Sequence, residues 1–297
     1  MLRTDLTIES ISMLEDTDGM VKNTRGDVFN ITEVSINSEE YGRRIGKKIG
    51  RYVTLESMNI GKPSDNFDAM VDELSAELKE YIPDGSVLVA GLGNNDVTPD
   101  TLGVISARSI LATRHFKTEL PNYDFLTSLR EVSIITAGVL GQTGIESSEI
   151  IKSLVDTIKP SSVIVIDAFA CSDISRLGST IQISNSGINP GSGVNNSRKE
   201  ISKEVLGVPV IAIGVPTVVD LHTIAENLTG STPNTDTPNF MVTPKDIDAI
   251  VENASKLLSE SISRVLIPEY FSANWLCYNH HFEWYLLTLE YTLLRTY

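Results

Sequence analysis

The stretch VLVAGLGNNDVTPDTLG, residues 87–103, decides the fold of this chain. Its first four residues form an apolar run that ends at a glycine, a pattern that predicts a short buried strand of a parallel sheet. Gly91 and Gly93 permit the tight turn and close backbone approach that a loop needs after such a strand. A Thr-Pro pair then delays the next helix until near Asp100, which is therefore expected just beyond the carboxyl end of the strand.

Two other interpretations of Asp100 compete with a functional one. An aspartate near a helix start is typical of a helix cap. A dinucleotide site is disfavoured, because its G-x-G-x-x-G fingerprint needs a third glycine where Asp96 stands and a helix that begins within the glycine loop. The functional interpretation is favoured by a second aspartate, Asp167, which closes the apolar run SVIVID at residues 162–167.

Further apolar runs alternate with helical patterns along the chain. Strands are predicted at residues 131–138 and 208–215, and a helix is predicted from Ser147 or Ser148 to Ile158. This alternation implies right-handed crossovers and an α/β fold, a mainly parallel sheet with helices on both faces. The carboxyl ends of such strands fall along one edge, where open α/β sheets bind their ligands.

This topology lets Asp100 and Asp167 converge on one crevice. When two carboxyls lie close together only one ionises readily, so the charged one can activate water while the protonated one donates to a scissile carbonyl. No cofactor is signalled, but a divalent metal held by Asp100 and Asp167 stays open, although the four histidines lack metal-binding spacing. Cys171 is a possible nucleophile beside Asp167, yet a free cysteine is more often a packed thiol.

Two other segments are candidates for substrate contact. Residues 184–200, SNSGINPGSGVNNSRKE, match no phosphate-binding loop, and Gly187, Gly191 and Gly193 are expected to shape a wide loop along a substrate groove. Residues 42–57, GRRIGKKIGRYVTLES, are rich in basic residues ahead of a strand pattern. For this second segment a solvated loop and a contact with an anionic group or substrate both stay open.

Composition narrows the class of protein. The chain has 297 residues, of which 41% are hydrophobic and 21% charged, as in ordinary globular proteins, and one main domain is expected. A formal net charge of -15 argues against nonspecific binding to nucleic acid or to an anionic membrane and favours a basic or extended protein partner. Two cysteines far apart indicate no disulfide framework, and the chain opens without a signal-peptide pattern, so a cytoplasmic location is expected.

Several long blocks of the sequence together form a recognisable pattern. The blocks are RTDL at 3–6, IGKKIGRYVTLES at 45–57, GLGNNDVTPDTLG at 91–103, TRH at 113–115, GQTGIESSEII at 141–151, IDAFA at 166–170, TIQISNSGINPGSGVNNSRKEIS at 180–202, GVPVIAIGVPTVVD at 207–220 and NFMVTPKDID at 239–248. Together they resemble the germination protease of endospore-forming bacteria, and the resemblance runs from residue 2 to residue 268.

The resemblance implies an endopeptidase that begins the degradation of small acid-soluble, DNA-protecting spore proteins when a spore germinates. It implies a fold similar to that of the hydrogenase maturation endopeptidases, and it places the family's two essential aspartates at Asp100 and Asp167. It also implies a homotetrameric zymogen in the forespore and spore core that trims its own N-terminus. Two alternatives stay open: a metal-assisted peptidase of the maturation type that uses the same aspartates, and an inactive binding protein of the same fold.

The resemblance divides the chain into a propeptide-like segment at residues 1–15, a catalytic domain at 16–268 and an atypical aromatic-rich tail at 269–297. The tail falls short of a membrane span and is interpreted as an added amphipathic segment or a shifted reading frame. Another departure is a segment between Asp220 and Asn239 that is shorter than in the bacillus members.

The N-terminal segment carries a run, Asp5-Leu6-Thr7-Ile8-Glu9, that resembles a substrate of the family: an acidic residue, a bulky apolar one, two smaller ones and a glutamate. Self-cleavage is therefore predicted between Asp5 and Leu6. The alternative is a loose terminus whose acidic residues keep it solvated. The chain opens without a helical period, and the polar, turn-rich residues 12–27 predict that this region is exposed.

Overall fold

A computed structural model describes residues 4–12, 20–194, 198–231 and 238–271. The strands are β1 (Met20–Arg25), β2 (Asn30–Ile36), β3 (Gly50–Glu56), β4 (Val87–Gly91), β5 (Val132–Thr136), β6 (Ser162–Cys171), β7 (Thr180–Ser184), β8 (Val210–Asp220) and β9 (Met241–Val242). The helices are α1 (Thr7–Ser12), α2 (Glu39–Ile45), α3 (Phe67–Lys79), α4 (Leu102–Arg108), α5 (Phe116–Glu119), α6 (Asp124–Ser128), α7 (Leu140–Thr143), α8 (Ser147–Ile158), α9 (Lys203–Leu206), α10 (Leu221–Thr229) and α11 (Ile247–Leu266). Most of the predicted tail, residues 272–297, lies outside the described residues.

All nine of these strands belong to one mixed sheet. Its order is β1-β2-β3-β7-β8-β6-β4-β5, and β9 pairs with β8. β8, β6, β4 and β5 run parallel, whereas β1, β2, β3 and β7 add to the edge of β8 in antiparallel pairs. The α/β fold is therefore confirmed. The parallel half of the sheet holds the strands predicted from the long apolar runs. The antiparallel half holds β3, which matches the strand pattern within residues 42–57, together with β1, β2 and β7.

Helices cover both faces of the parallel half. Along β4, Val87 and Val89 pack into a core with α3, α4 and α11, while Leu88 and Ala90 pack into a second core with α8 and α9. Every residue of β4 is therefore buried, which explains why the strand is a continuous apolar run instead of an alternating one.

The predicted helix forms as α8, and α3 is a further amphipathic helix with one buried face. In α3 the buried residues include Met70, Val71, Leu74 and Leu78. Burying each such side chain contributes roughly 1.5–3 kcal/mol of transfer free energy. The long helix α11 packs against this face and closes the larger core.

The N-terminal region departs from the prediction of an exposed, period-free segment. Residues 24–27 are exposed, but β1 is a regular strand that pairs with β2, and residues 7–12 form α1. Leu6 is fully buried and Glu9 is 4% exposed. The structure thus has a short helix with buried residues where the sequence showed no helical period. The burial of residues 4–11 depends on contacts with the rest of the protein. The hydrophobic pattern of so short a segment cannot reveal such contacts.

Candidate active site

Two neighbouring parallel strands bring the predicted aspartates together. Gly91, at the end of β4, is in register with Ile166 of β6, so Asp167 follows directly on the adjacent strand. The loop after β4 returns as a short 3-10 turn that ends at Asp100. Both carboxyl groups line one cavity of about 630 Å³ at the carboxyl ends of the parallel strands.

Asp100 is held by its own loop and does not cap the following helix. Its Oδ2 accepts a hydrogen bond from the backbone N–H of Asn94 at 2.7 Å, and α4 begins without a side-chain cap. The helix-cap interpretation is therefore wrong. Gly93 makes this loop possible: it has φ +117°, and a Cβ there would lie 1.9 Å from the carbonyl oxygen of Asp100. Burial raises the pKa of Asp100, and the bond from Asn94 opposes that effect.

Asp167 lies deeper, with 6% of its surface exposed. Its Oδ1 accepts a hydrogen bond from the backbone N–H of Ala168 at 3.0 Å. Burial raises the pKa of Asp167 well above its usual range, and the negative charges of Asp100 and Asp5 raise it further. The two aspartates therefore differ in environment, and Asp167 holds its proton more tightly than the half-buried Asp100 does.

Asp5, from the N-terminal segment, also lines this cavity, as does Glu146. The backbone N–H of Asp5 donates to the carbonyl of Ala170 at 2.9 Å, and the N–H of Ala170 donates back to Asp5 Oδ2 at 2.9 Å. The Ser192 hydroxyl donates to Asp5 Oδ1 at 2.7 Å. The structure thus places the predicted cleavage site, Asp5 and Leu6, on the end of β6, three residues beyond Asp167.

Glu9 anchors the same segment at its other end. Its carboxylate accepts hydrogen bonds from the Ser172 N–H at 2.8 Å, the Ser172 hydroxyl at 2.9 Å and the Asp173 N–H at 3.0 Å. Arg176 lies 3.5 Å away as an ion-pair partner. A buried carboxylate requires such partners, because an unpaired one would lose its hydration without compensation.

Between these two anchors, Leu6 fills an apolar pocket formed by Phe169, Cys171 and Val219. Cys171 is fully buried there, and burial raises the pKa of its thiol far above its usual range. Such a thiol is a poor nucleophile, in agreement with its interpretation as a packed side chain.

The three glycines predicted for the groove lie at different parts of it. Gly191 lines the cavity of the two aspartates. Gly193 lies against the N-terminal segment, and a Cβ there would be 2.4 Å from Asp5 Oδ2. Gly187 lines an adjoining pocket of about 120 Å³, which Asp5 also borders.

Sequence reasoning missed two polar residues of that adjoining pocket, Lys47 and Gln182. Both side chains donate to the carbonyl oxygen of Asp5, at 2.8 Å and 3.1 Å. Lys47 belongs to the basic segment for which a substrate contact had stayed open, and its bond to Asp5 favours that alternative. Gln182 lies on β7, an antiparallel strand that the sequence analysis did not predict.

The described residues, 4–12, 20–194, 198–231 and 238–271, contain neither a metal-binding cluster nor a membrane-spanning helix. Within them, histidine, cysteine, aspartate and glutamate side chains form no group of three or more that could hold a metal ion. None of the helices in those same ranges is long and apolar enough to cross a membrane.

Comparisons with known proteins identify the family. A NiFe hydrogenase maturation protease from Thermococcus kodakarensis is similar over 64% of this chain and 98% of its own length, at 20% identity and a TM-score of 0.38. The germination protease of Caldanaerobacter subterraneus is 38% identical over 90% of this chain and 94% of that protein. That of Bacillus licheniformis is 43% identical over 76% of this chain and 65% of that protein. The sequence model of the germination protease family matches residues 5–230. The chain belongs to the germination protease family and is an endopeptidase.

Proposed function

We propose that this endopeptidase begins the degradation of small acid-soluble, DNA-protecting spore proteins in the germinating spore, with Asp100 and Asp167 as its catalytic residues. We further infer that it is made in the forespore as a homotetrameric zymogen that cleaves itself between Asp5 and Leu6. One observation carries the proposal: a substrate-like segment of the chain itself lies at the cavity of the two aspartates, with Asp5 hydrogen-bonded to the end of β6.

The unequal environments of the two aspartates assign their roles. Asp100, the less buried, is the carboxylate that accepts a proton from water as the water oxygen bonds to the carbonyl carbon of Asp5. Asp167, which keeps its proton more readily, is the acid. When the bond between Asp5 and Leu6 breaks, the acid supplies a proton to the departing Leu6 nitrogen.

The bound segment also indicates how a substrate protein would lie. Asp5 makes one backbone hydrogen bond to Ala170, and its carboxylate accepts a second from the Ala170 N–H, so a peptide in this position is held through both its main chain and its acidic side chain. Such binding needs an unfolded substrate segment, which suits spore proteins that have left DNA. The side chains of Asp5 and Glu9 occupy separate polar sites, so the groove would select acidic residues at this spacing.

The test is incubation of the purified full-length chain with a small acid-soluble spore protein, followed by mass spectrometry. We expect cleavage of the spore protein and a new N-terminus at Leu6 of the enzyme. Asp100→Asn and Asp167→Asn should each lower both rates by about 10²–10⁴-fold, because an amide keeps the shape of the carboxyl but cannot exchange its proton. A folded variant with near-normal turnover would exclude the assigned roles.

In this proposal the carboxyl groups act directly on water. Metal analysis of the purified, active chain separates this chemistry from the metal-assisted alternative. Stoichiometric metal whose removal stops cleavage, and whose return restores it, would favour the second. An intact spore protein after incubation with the folded wild-type chain would favour the inactive binding protein.

A further inference from the structure

The carbonyl group of Asp5 is bound in an unusual way for a peptide group close to a chain terminus. Its oxygen accepts two side-chain hydrogen bonds, from Lys47 Nζ at 2.8 Å and from Gln182 Nε2 at 3.1 Å. The donors come from distant parts of the sequence: Lys47 follows α2, and Gln182 lies on β7. Both distances fall in the range expected of donors that stabilise an oxyanion.

Gln182 is fixed in the orientation that this contact requires. Its Oε1 accepts a hydrogen bond from the backbone N–H of Thr7 at 2.6 Å, and the residue is 5% exposed. The amide group therefore spans Leu6 and contacts the main chain on both sides of it. This contact recognises backbone groups only, so it does not depend on the side chains of the bound segment.

Lys47 brings a cationic group to the same oxygen. Burial lowers its pKa, whereas the nearby carboxylates of Asp5 and Glu9 raise it. The two acidic side chains thus help to keep the ammonium group charged beside the carbonyl. In a site shielded from water, a fixed positive charge at this position interacts strongly with negative charge on the oxygen.

We propose that Lys47 and Gln182 form the oxyanion-binding pair of the enzyme, which holds the carbonyl oxygen of the peptide bond to be cleaved. The inference rests on the proposed function, because it takes the bond between Asp5 and Leu6 as the one that breaks. As water adds to the carbonyl carbon, one water proton passes to Asp100 and the carbonyl electron pair moves onto the oxygen that Lys47 and Gln182 hold.

Collapse of this intermediate restores the carbonyl, breaks the carbon–nitrogen bond and leaves the Leu6 nitrogen to take the proton of Asp167. This assignment changes the role of the protonated aspartate. The sequence interpretation had it polarise the scissile carbonyl, whereas here two other side chains do so. Asp167 is then available to protonate the leaving amine.

A simpler alternative is that Lys47 and Gln182 only hold the N-terminal segment in place. The self-cleavage rate of the full-length chain, together with hydrogen exchange in residues 4–12, distinguishes the two roles. Lys47→Met removes the cation, and Gln182→Glu removes the donor while keeping an acceptor for Thr7. Ser192→Ala is the matched control for docking, because it removes a contact of the Asp5 side chain and leaves the carbonyl contacts intact. Lys117→Met is the control for charge, because Lys117 pairs with Glu131 at the surface, away from this pocket.

We expect Lys47→Met and Gln182→Glu each to slow self-cleavage roughly 100-fold, as removal of one oxyanion donor does elsewhere. Hydrogen exchange in the segment should stay close to that of the wild type. Lys117→Met should cleave itself normally, and Ser192→Ala should change the rate only as far as it loosens the segment.

Two results would overturn the inference while the proposed function stands. One is a wild-type rate in folded Lys47→Met. The other is a loss of self-cleavage rate in Lys47→Met and Gln182→Glu that is fully accounted for by faster hydrogen exchange in residues 4–12, with Ser192→Ala showing the same ratio of lost rate to faster exchange. A wild-type chain that cleaves neither itself nor a spore protein would instead overturn the proposed function, and this inference with it.

Discussion

Asp167 is surrounded by groups that favour its neutral form. Burial is the largest cause, and the charges of Asp100 and Asp5 add to it. A carboxyl whose pKa is higher in the folded state binds its proton more tightly there, so its contribution to stability is present at low pH and is lost as pH rises through the folded-state pKa. The same rise in pH removes the proton that the proposed mechanism needs. Self-cleavage is therefore expected to be favoured under mildly acidic conditions.

The charge of Asp5 should set part of this pH dependence. Asp5→Asn removes a charge that raises the pKa of Asp167. Its amide oxygen can still accept from the Ala170 N–H, and its amide nitrogen then faces the Ser192 hydroxyl, which can accept instead of donating. We expect the alkaline limb of the self-cleavage profile to move to lower pH, measured as the initial rate across a pH series. Ser192→Ala, which keeps the charge, should lower the rate without moving the limb. An unmoved limb in Asp5→Asn would show that Asp5 does not control the acid.

Cys171 provides a test that the chemistry does not use a thiol. Cys171→Ala should leave cleavage of a spore protein within about twofold of the wild type, while the lost volume costs on the order of 1 kcal/mol of stability. Turnover and thermal unfolding measured on the same preparation separate these effects. Loss of turnover in a folded variant would require a return to nucleophilic catalysis.

The loop between β4 and α4 shows how a turn of the backbone positions the carboxyl group of Asp100, to which we assign a catalytic role. The loop turns back so that Asp100 lies close to Gly93, just after the end of β4. Gly93 allows this close contact because it has no side chain. Sequence patterns identified this arrangement because its cause is local: a short apolar strand, two glycines and a proline lie within one stretch.

Gly93→Ala should therefore destabilise the fold and inactivate the enzyme. The added methyl would overlap the Asp100 carbonyl, and φ +117° is strained for any residue with a side chain, so a loss of roughly 3 kcal/mol or more is expected. Gly141→Ala is the control for thermal unfolding, because a Cβ there meets nothing within 4 Å. Equal melting temperatures for the two variants would contradict this account of the loop.

The antiparallel elements mark the limit of sequence prediction. Asp100 and Asp167 could be placed together because neighbouring parallel strands end at a common edge. Lys47 and Gln182 could not, because they meet only after β3 pairs with β7 and β7 with β8, at separations that no local pattern records. The binding of residues 4–12 to the rest of the protein could not be predicted either, because the surface that contacts Leu6 and Glu9 is formed by later parts of the chain.

Across the whole molecule, the hydrophobic core and the aspartate cavity are built from different parts of the same sheet. Helices α3, α4 and α11 bury one face, and the cavity opens at the strand ends beyond them. The formal net charge of -15 does not select acidic substrates by attraction. Under the proposed function, acidic residues of a substrate would instead be held by the local donors that bind Asp5 and Glu9 here, at Ser192, Ser172 and Asp173.

The end of the core predicts where the chain can be shortened. Helix α11 ends at Leu266, and Ile267 is still 1% exposed, so the large core reaches at least this residue. Removing everything after Glu269 keeps both residues and deletes the part that the family resemblance does not cover. We expect this truncated chain to unfold cooperatively and to cleave itself at the wild-type rate, as measured by thermal denaturation and mass spectrometry. A second truncation after Ser263 is the matched control, because it removes Leu266 and Ile267 and should lower the melting temperature sharply. Aggregation of the chain that ends at Glu269 would show instead that the tail belongs to the folded core and that the predicted boundary at residue 268 is wrong.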